Sequence, residues 1–101
     1  MTTVVVLFNL KPGVDVERYE AWARATDLPN VNALGSVREF RVLRSQGLMS
    51  GADAPYQYVE LIELESLTGL RADVKSQTMQ RVAQEFREFA HAPLFIVTEP
   101  L

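Results

Sequence analysis

At 101 residues, with 48% hydrophobic and 23% charged, the chain has the size and make-up of one globular domain spanning 1–101, outside the disordered and fibrous classes. A net charge of -3 with eight scattered arginines offers no basic stripe for nucleic acid, and the absence of cysteine excludes disulfides, a thiol nucleophile and thiolate metal sites. No apolar run approaches the roughly 20 residues that cross a bilayer, and Met1–Leu10 lacks the basic start of a secretory leader, so a soluble, cytoplasmic protein is expected.

Thr3–Leu10 (TVVVLFNL) is a β-branched and aromatic run ended by the turn residues Lys11-Pro12-Gly13, and predicts the first strand. Asp15 stands where a helix cap would, and Val16, Tyr19, Trp22 and Ala23 recur at helical spacing through Thr26. Asp27-Leu28-Pro29 then reads as a fresh cap with proline in the first turn, predicting a short second helical piece over Leu28–Ala33 that ends near Gly35. Ser36–Ser45 (SVREFRVLRS) alternates as a half-exposed strand near a sheet edge.

Gln46–Pro55 carries two glycines, a serine, an aspartate and a proline, and predicts a loop. Tyr56–Glu65 (YQYVELIELE) resumes strand character, Ser66 caps a turn of helix through Ala72, and Lys75–Ala90 places Met79, Val82, Ala83, Phe86 and Phe89 on one helical face. Pro93 stops that helix before a last strand, Leu94–Thr98. The order βαββαβ predicts an α+β domain of the ferredoxin-like type, a four-stranded antiparallel sheet with both crossover helices on one face.

Strand one is apolar on both faces, at Val4, Val6 and Phe8 and also at Val5 and Leu7, and Leu94–Val97 repeats the pattern. Helices cover one side of a sheet, so a second copy of the chain is expected to cover the other, closing a dimeric α/β barrel. Small strands that are simply apolar are the alternative.

Few residues carry a chemical signal. Glu60 lies in mid-strand on the face of Tyr56, Tyr58 and Ile62, where a buried carboxylate either pairs, with Arg38 or Arg41 of the neighbouring strand, or rises in pKa and becomes a general base. His91, the one histidine, either meets the dipole at the end of the last helix or serves as a base at a pocket mouth. Asn9 at the strand end either satisfies turn backbone or orients a substrate, and Tyr19, Trp22 and Tyr58 either fill the core or line an aromatic substrate pocket. One histidine without cysteine makes no zinc site, and glycine-rich phosphate loops and G-x-S-x-G elbows are lacking, so neither metal nor cofactor is expected.

The stretches VVVLFNLKPGVDVERYEAWA, TDLPNVNALGSVREFRVLRS, YQYVELIEL and FREFAHAPLFIVTE together resemble the RedY-like, or HapK, family nearly end to end. That resemblance implies a branch of the dimeric α/β barrel superfamily associated with clusters for prodigiosin-type tripyrrole pigments. It hands no catalytic motif to this chain. Haem-degrading members of the superfamily use an Asn at the end of strand one with a Trp and a His on the second helix; Asn9 and His91 are similarly placed, but Trp22 is on the first helix, which counts against haem. A polyketide-cyclase-like site would pair Tyr19 or Tyr58 with His91. The expectation is a homodimer that binds a hydrophobic aromatic metabolite and assists its condensation, cyclisation or oxidation, with His91 or Glu60 moving protons and Asn9, Tyr19, Trp22 and Tyr58 holding substrate. A carrier or purely structural dimer is the alternative.

Overall fold

A computed structural model describes residues 1–101. In chain order it contains β1 (Thr2–Leu10), α1 (Val16–Trp22), a π-helical turn (Ala23–Asp27), α2 (Leu28–Asn32), β2 (Val37–Arg44), β3 (Tyr58–Leu64), α3 (Leu67–Asp73), α4 (Gln77–Phe89) and β4 (Ala90–Thr98). The strands make one antiparallel sheet in the order β2-β3-β1-β4, the ferredoxin-like topology anticipated from the βαββαβ pattern.

Strand alternation decides which face is covered. Val4, Val6, Phe8 and Leu10 of β1 and Tyr58, Glu60, Ile62 and Leu64 of β3 are buried toward the helices, while the intervening residues look the other way. The helices begin where polar caps satisfy free N–H groups: Asp15 accepts from Glu17, Ser66 from Gly69 and Ser76 from Met79. α4 buries Met79, Val82, Phe86 and Phe89 along one stripe. Gly13, at φ 83°, makes the turn after β1 in a conformation that suits glycine.

Three boundaries differ from the sequence reading. Asp27 is not a cap: its backbone is helical, its side chain makes no capping bond, and α1 runs on into α2 through the π turn, where Leu28 N–H reaches back to Ala23 O. Pro29 has no N–H to give to the helix, and the widened turn absorbs that loss without breaking the chain direction. β4 starts at Ala90 rather than Leu94. A register shift opposite Leu7 and Asn9 and a positive φ at Ala92 (44°) let the edge strand accept Pro93. β3 begins at Tyr58, because the backbone on either side of Tyr56 is held by the side chain of Asn9 instead of a strand ladder.

The layer between sheet and helices has two unlike halves. Toward the C-terminal end of β1, Phe8, Tyr19, Tyr58, Phe86, Phe89 and Trp22 interlock, with neighbouring ring centroids 4.9–6.5 Å apart. Toward the other end the lining turns aliphatic and the packing opens. On the uncovered face, Val5, Leu7, Val59 and Leu61 are only half-buried, and Leu43, Leu94 and Ile96 are exposed.

Candidate functional site

The open half of the core is a cavity of about 240 Å³ walled by Val4 and Ile62 of the sheet, Val31 and Leu34 around α2, and Met79 and Phe86 of α4. Twelve of its fourteen lining residues are hydrophobic; the other two are Asp27 and Glu60. Val74 and Phe95, which also line it, are exposed, so the cavity meets the surface between the end of α3 and the edge strand β4.

Both carboxyls are brought there by local geometry. The sheet register pairs Glu60 with Val6 on one side and Val42 on the other, so a carboxyl stands in an apolar row with 4% of its surface exposed. Asp27 follows Tyr19 and Ala23 at four-residue intervals, and all three point inward with Val31 next in the series. At 5% exposure Asp27 is as deeply placed as Glu60. The expected partners of Glu60 are engaged elsewhere: Arg38 pairs with Glu65 and Arg41 with Glu39, because the register aims both arginines off the covered face.

Neither carboxyl takes part in an ion pair, and Glu60 Oε2 is buried and unpartnered. The hydroxyl of Tyr19, fully buried nearby, is unpartnered as well. Desolvation therefore governs their charge. Burial raises Asp27 from its ordinary range to about 7. Glu60 is raised well above the usual carboxylate range, first by burial and then by the negative charge of Asp27. Burial, followed by the charge of Glu60, pushes Tyr19 upward too, so the phenol keeps its proton. Near neutral pH the cavity holds at least one carboxylic acid, a group able to give a proton or accept one.

The other residues anticipated from sequence are distributed around this centre. Tyr19 and Tyr58 meet, with ring centroids 4.9 Å apart, inside the filled aromatic half. The Tyr58 hydroxyl donates to Glu20 Oε2 at 2.7 Å, and Glu20 also receives Arg44 Nε at 2.7 Å. Arg44 and Tyr58 hold Glu20 down to about 2, while burial and Glu20 push Tyr58 up to about 12. Trp22 packs on Phe86 and Phe89 and donates Nε1–H to Glu85 at 2.9 Å. Asn9 accepts from Gln57 N–H at 2.9 Å and donates to Pro55 O at 3.1 Å, satisfying loop backbone on the uncovered side of the sheet. His91 is not at a helix end: α4 stops at Phe89, and His91 is exposed on β4 beside Asn9, across the sheet from the cavity. The structure thus groups Glu60 with Asp27, keeps Tyr19, Tyr58 and Trp22 in the adjoining aromatic packing, and sets Asn9 and His91 apart. Asp27 went unrecognised in the sequence, although its spacing from Tyr19 and Ala23 was the available signal.

Fold and site together define a ferredoxin-like α+β protein with an acid-lined internal cavity. The chain belongs to the REDY-like HapK family, whose model matches residues 2–101. It is 28% identical to HapK from Hahella chejuensis, whose crystal structure superposes with a TM-score of 0.80 over 100% of this chain and 93% of that one. A dimeric ferredoxin-like protein of unknown function from Thermobifida fusca shares the fold at 14% identity, with a TM-score of 0.76 over 98% of this chain and 90% of that one. So does an antibiotic biosynthesis monooxygenase, at 11% identity and a TM-score of 0.77 over 100% of this chain and 99% of its own. No curated protein matches the chain.

Proposed function

We propose that the protein is a homodimer that takes a small hydrophobic aromatic molecule into the cavity of each subunit and moves a proton on it through Glu60, assisted by Asp27. The observation that carries this reading is the unpartnered carboxyl of Glu60 buried in an otherwise apolar cavity. A buried polar group left without a partner costs about 1–3 kcal/mol, and a bound molecule that met it would recover that cost. A protonated Glu60 can donate to a carbonyl oxygen while ionised Asp27, titrating near 7, takes the proton lost from the adjacent carbon and passes it back to Glu60. Membership of the REDY-like family supports a place in pigment-type secondary metabolism, with condensation, cyclisation or oxidation of an aromatic intermediate as the reaction class. Two subunits pairing through the uncovered sheet faces would bury Leu43, Leu94 and Ile96, and relatives of the same fold from Thermobifida fusca and Bacteroides fragilis are dimeric.

Substitution separates catalysis from carriage. Glu60→Gln keeps the shape and removes the acid, so turnover of a metabolite that binds the wild type should fall at least about a hundredfold at saturating concentration. Unchanged turnover in Glu60→Gln would overturn the catalytic reading. A carrier is the second reading, favoured by the lack of any serine, cysteine, lysine or histidine among the residues lining the cavity.

A further inference from the structure

The polar groups of the cavity specify more than its size. Carboxylates only accept hydrogen bonds, and a protonated pair sharing one space offers few donors of its own. The cations near this layer are already committed: Arg44 and Arg24 are bound to Glu20, and Arg18 lies over the ring of Phe89. The indole N–H of Trp22 goes to Glu85. The one uncommitted donor nearby is the Tyr19 hydroxyl, which is seated in the aromatic packing and does not reach Glu60 Oε2, so that oxygen is unpartnered. A purely apolar ligand would leave those acceptors unmet, and an anionic one would face like charge in a desolvated space.

We propose that the cavity is selective for a flat molecule carrying a basic nitrogen flanked by N–H donors, an amidine or amino-azole type, which Asp27 and Glu60 hold between them as acceptors. The proposal rests on the reading of the cavity as a small-molecule site. Entry of a cation lets a carboxyl ionise against it, converting two uncompensated acids into a charge-assisted, two-pronged contact. Phe40, Phe86 and Phe95 supply aromatic walls for the ring. Size sets an upper bound: a dry cavity of about 150 Å³ holds benzene, so about 240 Å³ suits one fused bicycle and is too small for an extended multi-ring chain.

Titration calorimetry at pH 6.5 with 2-aminobenzimidazole and with naphthalene, bicycles of matching size, tests this on the untreated protein. The expected result is binding of 2-aminobenzimidazole about tenfold or more tighter than naphthalene, with Asp27→Asn and Glu60→Gln each erasing most of that ratio while leaving naphthalene affinity within about twofold. Equal affinity of the two bicycles in the wild type, or a ratio untouched in both variants, would overturn the donor requirement and leave the cavity reading standing. Binding of neither bicycle would overturn the cavity reading itself and the inference with it. The wild-type ratio needs no variant to fold, so the outcome is decided even if one substitution unfolds the chain.

Discussion

Glu60 shows how far one residue can be read from its neighbours. Alternation in YVELIEL puts Glu60 on the face of Tyr58 and Ile62, and that was legible. Its lack of a partner was not, since pairing with Arg38 or Arg41 depended on a hairpin register hidden behind a long loop. Asp27 was misassigned because Asx followed by proline is also how helices start, and only the continuous helical backbone reveals the inward spacing from Tyr19. The titration of Asp27 has a measurable consequence. Its carboxyl ionises at pH 3.8 when exposed and at about 7 in the fold. The fold therefore keeps its full stability below about pH 4 and loses about 4 kcal/mol of it as pH rises from there through 7. Glu60, facing the same cavity, acts in the same direction, and the phenol of Tyr19 stays neutral throughout. Glu20, held at about 2 by Arg44 and Tyr58, works the opposite way and only below about pH 4.5. Thermal denaturation should show Tm falling by about 10 °C or more from pH 5 to pH 8, and Asp27→Asn should reduce that slope by up to about half, Glu60 carrying the rest. A Tm that rises over this interval would contradict the assignment.

At the scale of elements, some side chains act as backbone, and one of them sets the start of β3, a boundary that escaped the sequence. Asn32, closing α2, accepts from Phe40 N–H at 2.9 Å and donates to Phe40 O at 3.0 Å, so its amide stands in for a neighbouring strand on the edge of β2. Asn9 does the same for the loop before β3. Such pairings join residues eight or 48 positions apart in sequence and leave no periodic pattern, unlike the alternation of β1 or the apolar stripe of α4, which identified those elements directly. Asn32→Ala leaves both edge groups of Phe40 without their partner and should cost about 1–3 kcal/mol, read as an earlier urea midpoint with unchanged slope. An unaltered midpoint would mean that water replaces the amide at no cost. Ser76→Ala removes the cap of the longest helix and should cost about 1 kcal/mol in the same assay.

For the molecule as a whole, the topology was recoverable because two helical crossovers and one loop allow few arrangements of four strands. The apolar character of both sheet faces was equally plain in Val4–Leu7 and Leu94–Val97, and the structure accounts for the inner face only. If the outer face is where two subunits meet, Leu61→Arg, at the centre of the sheet on that side, should yield a monomer by sedimentation at micromolar concentration. A wild type that is itself monomeric would refute pairing through this face. The cavity was beyond the sequence, because its volume depends on how closely α2, α3 and α4 approach the sheet, and no residue pattern encodes a gap.

The most direct test is carbon-13 NMR titration of the side-chain carboxyls. The two buried acids should separate from the rest, with Asp27 ionising near pH 7 and Glu60 still protonated when Asp27 has lost its proton. Ionisation of both below pH 5 would contradict a desolvated pair of acids and leave Glu60 no proton to give.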